Sequence, residues 1–396
     1  MKNLFYFSII ICFFLTSCDS ITNGYRAMGY NSTGLKKYNI KDYKGAIEEY
    51  NKAIEIDSEF STAYYNRGLA EYFLLKYKYA LNDYSKAIRL RPNFASAYYC
   101  KGEIEYSNDE YKKAYSDYLK AFSLDSNKAA YCFCVAKATK SLQQYSQARK
   151  YYNEAIMLDS SYAKAYNGMG LLEYDLGNYQ KAEEYFTKAI RKSFPEAGYF
   201  DNRGEARNKL KNYVGARKDY ERAISIDSTC SAAYNDIANQ EFDSAKYARS
   251  IYYYSKAIEF GSNHATYYDN RGGAEDKVFE RLAAKGDYMK AVSLDTNSDW
   301  KYNHLANEFY YEGNYDTALI YYNKAISKKP MDEVLYNNRG NDELKLGEYK
   351  EAMQDYNKAI ELKPDYALAY SNRADCEKKM GDKKAAAADI LKAGSK

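Results

Sequence analysis

Five stretches of the chain set an arginine behind an asparagine: YYNRG from Tyr64, FDNRG from Phe200, YDNRG from Tyr268, YNNRG from Tyr336 and YSNRA from Tyr370. An arginine beside a glycine is a common way to hold an anion, so five copies suggest five anion sites. The spacing points elsewhere. Arg203, Arg271 and Arg339 follow one another at 68 residues, Arg67 precedes Arg203 by 136, and Arg373 follows Arg339 by 34. Every interval is a multiple of 34, so the motif belongs to an internal repeat.

Other chemistry finds little support. No phosphate loop, nucleophile elbow or metal-ligand cluster is present, and His264 and His304 are the only histidines. Carboxylates such as Glu103 and Glu105 are abundant, but nothing singles out a catalytic pair. The chain reads as a non-enzyme with no cofactor and no metal. The 58 basic and 54 acidic residues nearly cancel and form no block of like charge, which argues against nucleic acid as a partner. Four prolines in 396 residues, with 49 tyrosines, favour a helical chain.

The N-terminus, MKNLFYFSIIICFFLTSCDS, has a lysine, an apolar run from Leu4 to Leu15, then small residues before Cys18. The run is short for a membrane span and has the layout of a secretory signal. Leu15-Thr16-Ser17-Cys18 resembles the bacterial lipoprotein signal. That resemblance implies cleavage before Cys18, a lipid on its thiol and a place in the bacterial cell envelope, at the outer or the cell membrane. Residues 1–17 are then a signal peptide and 18–26 an anchor and short tether. Cys100, Cys132, Cys134, Cys230 and Cys376 are odd in number and irregular in spacing, and read as buried apolar side chains.

Counted from Ala27, eleven units begin at 27, 61, 95, 129, 163, 197, 231, 265, 299, 333 and 367. Position 27 is alanine in all of them, from Ala53 to Ala393; position 20 is alanine except at Ser250; position 8 is Gly or Ala. Position 24 is Tyr or Phe until Ile390. Positions 4, 8 and 11 share one face of a first helix, and 20, 24 and 27 one face of a second. Small residues let the helices approach, and the aromatics fill the space beside them. Gly177-Asn178, Gly313-Asn314 and Gly347-Glu348 suit the turn within a unit, and Pro92, Pro330 and Pro364 the turn after it. The pattern resembles the tetratricopeptide repeat (TPR) over residues 27–396. It implies an all-α, right-handed α-solenoid of about eleven 34-residue helix-turn-helix repeats. Two units depart: Asp243-Ser244-Ala245 lacks the usual Gly or Asn, and Arg281 replaces an aromatic at position 17. Irregular turns are expected there.

The arginine occupies position 7. Arg67, Lys101, Arg203, Arg271, Arg339 and Arg373 accompany Asp83, Asp117, Asp219, Asp287, Asp355 and Asp389 at position 23. Val135, Met169, Ile237 and Leu305 at position 7 accompany Tyr151, Tyr185, Tyr253 and Tyr321. This sorting predicts structural ion pairs between the two helices of one repeat, and an apolar alternative in the others. The first unit, with Thr33 and Glu49, fits neither kind.

By resemblance to the family, positions 2, 5, 6 and 9 line a concave partner groove. Tyr65, Tyr72 and Tyr99 make its start aromatic. Its far end is rich in amides: Asn235, Asn239, Asn303, Asn307, Asn337, Asn338, Asn341 and Asn372, with Tyr310, Tyr311 and Trp300 nearby. Amides match peptide groups and would hold an extended chain by its backbone. No Lys or Arg stands at position 5, which argues against capture of a C-terminal carboxylate. The expectation is a membrane-anchored scaffold that binds protein or peptide partners in its groove and is tied to the membrane through Cys18. A competing reading is a glycan-binding envelope lipoprotein, in which Tyr and Trp300 stack on sugars. Such proteins carry large insertions between repeats, and this chain has none. Self-association of the aromatic units is a third expectation.

Overall fold

The computed structural model describes residues 22–394, which fold into helices joined by short turns, with no strand among them. A helix over 22–39 and the helix Tyr43–Ile56 form the first repeat, and Ser61–Phe73 with Tyr77–Leu90 the second. The same pairing runs to Ala367–Met380 with Lys383–Gly394. Each second helix starts at position 17 and, up to the tenth repeat, spans 14 residues. The chain divides into two compact units at Pro195 and Glu196, and within each unit consecutive helices pack on one another. No helix among the described residues is long and apolar enough to cross a membrane.

The small positions do what their spacing demands. The alanines from Ala53 to Ala359 at position 27 and those at position 20 are fully buried, as is Ser250. Tyr84 and Tyr356 lie against Gly68 and Gly340: a methyl group there would come within 2.8 and 2.9 Å of the rings. A helix pair drawn together over Gly or Ala with an aromatic wedged beside it is therefore the repeated unit of packing.

The turn within each repeat is uniform, which corrects two expectations. Position 15 is left-handed in all eleven repeats: Gly177, Gly313, Gly347 and Gly381 have φ of 76 to 90°, and Lys41, Leu75, Asp109, Gln143, Lys211, Ala245 and Phe279 have φ of 56 to 65°. The following N–H bonds back five residues, as in Lys76 to Glu71 at 2.9 Å and Asn178 to Glu173 at 2.8 Å, which closes the first helix. The Ala245 and Phe279 turns keep this form, because packing of the helix pair dictates the backbone whatever residue occupies the corner. Arg281 still opens a regular helix and lays its guanidinium 4.1 Å from the Tyr311 ring centroid. In four second turns that lack proline an aspartate at position 31 takes its part: Asp57, Asp159, Asp227 and Asp295 each accept from the N–H two residues on.

A left-handed residue with a side chain is strained, so these corners can be improved. Leu75 and Phe279 are exposed and lose little packing if removed. Leu75→Gly and Phe279→Gly are each expected to raise stability by about 0.5–1 kcal/mol, and Gly347→Ala to lower it by about 1 kcal/mol. Urea midpoints test this; a loss in both glycine variants would show that the corners are not strained.

One boundary also moves. Helix begins at residue 22, so residues 22–26 of the short tether are already helical. The signal segment and Cys18 lie outside the described residues.

Candidate functional site

The arginines sit on the first helix and the aspartates on the second, 16 residues later and directly opposite. Arg67 donates through Nε and Nη2 to Asp83, both at 2.7 Å. Arg203 with Asp219, Arg271 with Asp287, Arg339 with Asp355 and Arg373 with Asp389 repeat this two-pronged geometry at 2.6 to 2.9 Å. Lys101 reaches Asp117 and also Glu105. The five aspartates paired with arginine are 3 to 7% exposed, so each guanidinium is committed to the scaffold and not offered to an anion. A third partner was not legible in the spacing. Nη1 of Arg67, Arg339 and Arg373 donates to Asn51, Asn323 and Asn357 of the preceding repeat, and Nη1 of Arg271 to Ser255. All four stand at position 25, so each arginine ties two repeats together. In the apolar repeats Val135, Met169, Ile237 and Leu305 are buried with Tyr151, Tyr185, Tyr253 and Tyr321 packed against their clusters. The first repeat keeps a charge pair one turn along, Lys37 to Glu49 at 3.0 Å.

A second carboxylate accompanies the ion pairs. Glu71, Glu105, Glu275, Glu343 and Glu377 at position 11 are 4 to 9% exposed, one turn beyond the basic residue. Oε2 of each is buried without a hydrogen-bond partner. Burial, and then the neighbouring aspartate, push Glu71 and Glu275 up to about 7 and Glu343 up to about 8. A neutral glutamic acid accounts for the arrangement, because its hydroxyl can donate to the aspartate that the arginine also grips. In the apolar repeats Glu173 and Glu241 instead receive Arg149 and Arg217 at 2.8 Å.

The asparagines are engaged within the chain. Position 6 of one repeat donates to position 5 of the one before: Asn66 to Asn31 at 2.9 Å, Asn270 to Asn235 at 3.1 Å, Asn338 to Asn303 at 3.1 Å and Asn372 to Asn337 at 2.9 Å. An amide is donor and acceptor at once, so two of them close a rung between repeats. Position 9 has another task. Asn239, Asn307 and Asn341 accept the hydroxyls of the buried Tyr254, Tyr322 and Tyr356 at 2.6 to 2.9 Å. Asn337 is fully buried and Asn303 is 3% exposed, so neither presents its amide to a partner. The amide ladder thus joins repeat to repeat, a correction to its reading as a row of free peptide grips.

Other rungs carry different chemistry. Tyr65 faces Cys100 at 3.9 Å, and His304 Nδ1 meets Asp269 at 3.0 Å. Asp201 and Asp236 hold the corresponding places in the sixth and seventh repeats. Burial, and then Glu205, push Asp201 up to about 7, and burial with both neighbours pushes Asp236 well above the usual range. Tyr65 and Tyr99 pack on Phe94 and Tyr131 at 4.7 and 5.2 Å between ring centroids, Tyr72 on Tyr77 at 5.5 Å, and Tyr310 on Tyr315 at 5.5 Å. Cys132, Cys134 and Cys376 are buried; burial raises the Cys132 thiol to about 12 and Cys100 to about 11, which keeps them protonated. No group of His, Cys, Asp and Glu among the described residues is arranged to hold a metal ion.

The first helices of repeats seven to nine leave a cavity of 610 Å³ between them. Tyr288, Trp300 and His304 form its aromatic wall, and Asp243, Asp269 and Asp276 its acidic one. Trp300 is 47% exposed and touches His304 edge-on at 4.9 Å.

An array of helical hairpins in constant register, each closed by a left-handed corner, defines a class of repeat protein. Family profiles identify it: the TPR repeat profile matches residues 34–73 and 340–381, and two tetratricopeptide repeat profiles match 61–94 with 163–192 and 130–162 with 302–330. The chain is an all-α solenoid of tetratricopeptide repeats. No curated protein matches the sequence. Among solved structures, the chain is similar to one described under functional characterisation of Pseudomonas aeruginosa PilF, at 17% identity over 57% of this chain and 99% of that one, with a TM-score of 0.48. It is also similar to MamA, at 25% identity over 43% of this chain and 92% of that one (TM-score 0.40), and to MamA of Desulfovibrio magneticus RS-1, at 20% identity over 42% and 94% (TM-score 0.40).

Proposed function

We propose that this chain is a membrane-anchored scaffold of the bacterial cell envelope, holding partner proteins along the face built by its first helices. The observation that carries this reading is the cavity in that face, where Trp300 stands exposed while the surrounding amides are bonded within the chain. Repeats of this kind generally bind protein partners, and an exposed aromatic in a recess is the usual form of an anchor pocket. The anchoring rests on the signal-like segment that ends in Cys18, with helix starting four residues after it.

Two measurements test the proposal. Metabolic labelling with palmitate should mark the full chain in the membrane fraction, and Cys18→Ser should leave it unlabelled and soluble. In parallel, the protein is used as bait in an envelope extract, intact and as the Trp300→Ala/Tyr310→Ala variant. A protein held by the intact bait and lost by the variant supports the scaffold. If both baits hold the same proteins, or none, the interaction reading falls.

A further inference from the structure

The chemistry of that cavity narrows the partner. We propose that the recess in repeats seven to nine takes a cationic side chain, the arginine or lysine of a basic, extended segment of a partner protein. This rests on the scaffold reading above and goes further by fixing the charge of what the scaffold holds.

Three observations carry it. The first is the lining: Asp243, Asp269 and Asp276 enter the wall from consecutive first helices, against Lys277 on the same wall. The full chain is basic by four charges, so an acidic recess departs from its average. The second is the aromatic wall. Trp300, 47% exposed, stands in the same lining as those carboxylates, and a cation set between its ring and a carboxylate gains from both while keeping its apolar stem covered. Their neighbours are already engaged: Tyr288 donates to Asp276 at 2.8 Å, and Asp269 takes His304 at 3.0 Å. Trp300, half exposed, meets the edge of His304.

The third lies one step along the same face. Asp201 is 8% exposed, and its Oδ1 is buried without a hydrogen-bond partner. Asp236 beside it is reached by the amides of Asn235 and Asn239 at 3.2 and 3.4 Å, and Asn239 also lines the cavity. Carboxyl groups therefore continue from the cavity toward the sixth repeat, but burial holds these two well above the usual carboxylate range, so the counter-charge comes from the aspartates of the cavity itself. An uncharged glycan would gain from the rings but would leave these carboxylates without counter-charge. A second copy of this chain offers no matching run, since its bases and acids are interspersed throughout.

The test is fluorescence anisotropy with the purified full-length protein and a labelled peptide of four Gly-Ser-Arg units. Its counterpart carries citrulline in place of arginine, which keeps the shape and removes the charge. The arginine peptide should bind with a Kd of about 1–100 μM, weakening as salt rises. Trp300→Ala and the double variant Asp243→Asn/Asp269→Asn should each weaken it about tenfold or more. Glu351→Gln/Glu361→Gln, which removes two exposed charges far along the chain, should leave it unchanged. Equal binding of the citrulline peptide, equal loss in the distant variant, displacement by maltoheptaose, or no binding of the arginine peptide would each overturn the proposal. A partner captured from envelope extract by both the intact protein and the Asp243→Asn/Asp269→Asn variant would remove the cationic site and leave the scaffold standing.

Discussion

Arg339→Leu is expected to lower stability by about 2–4 kcal/mol. The substitution strands Asp355, 5% exposed, and Glu343, 8% exposed, without the guanidinium between them. Losing one partner of a buried pair costs far more than the pair itself is worth, because the remaining charge stays desolvated. The arginine side chain is 22% exposed, which places the cost below that of a fully buried pair. The neighbouring repeat supplies the compensating change. There Leu305 takes the place of the arginine and Tyr321 that of the aspartate, and both pack in one apolar cluster. Arg339→Leu/Asp355→Tyr should therefore recover most of the loss. A urea-unfolding double-mutant cycle with hydrogen exchange in Glu333–Leu346 and Tyr349–Leu362 measures the coupling. A coupling near zero would show that the two side chains are independent.

Stability should also fall as pH rises from about 4.5 to 8. Glu71 and Glu275 are pushed up to about 7, and Glu343 up to about 8, from an ordinary 4.5. Asp201, Asp342 and Glu308 are likewise pushed up to about 7 by burial. The folded chain binds these protons more tightly than the unfolded chain. Between the two values it holds more protons, so unfolding becomes easier with each step in pH. Above about 8 both states have lost them and the slope ends. At the other extreme Glu49, Asp295 and Asp332 are held low by Lys37, Lys301 and Lys329, and their contribution disappears in acid. The optimum is thus mildly acidic. Melting temperatures should decline from pH 5 to about 8 and then level off, and Glu71→Gln/Glu275→Gln/Glu343→Gln should flatten the curve and raise its alkaline end. A native profile that is level or rising across this range is incompatible with neutral glutamic acids in the triads.

Much of the architecture was readable from spacing alone, because a helix pair built on Gly, Ala and Tyr leaves the same residues at the same places in every copy. Positions 7 and 23 were readable as partners because Arg goes with Asp and Leu with Tyr, one repeat at a time. The rungs were not. Asn235 and Asn270 are 35 residues apart, one more than the period, so a comparison of equal positions passes over them. Asparagine at positions 5 and 6 then reads as a solvated or partner-facing amide. Glu343 was invisible for a different reason: glutamate one turn from arginine on a helix is ordinary on a surface, and only the second helix covering it makes the carboxyl neutral. At Ala245 and Phe279 the residue type argues against the turn that forms. Backbone preference at one corner is about 1 kcal/mol, less than the packing of two helices.

The rungs also decide how each unit answers to load. A hydrogen bond is short and directional, and little displacement is needed to lose it, whereas apolar contacts keep most of their worth while surfaces slide. Junctions latched by Asn31 with Asn66, or Asn303 with Asn338, should hold stiffly and then let go at once. In the first unit the fourth and fifth repeats bring Phe133 and Gly168 to the rung positions, and glycine has no side chain to latch. Phe133 instead lies against Tyr162 and Tyr152, at 5.7 and 5.9 Å between ring centroids. Polar ties between these two repeats are the ion pairs of Lys140 with Asp175 and Arg149 with Glu173, at 2.6 and 2.8 Å, and long charged side chains follow a sliding surface further than an amide rung can, so this joint should slip under a pull where a rung would snap.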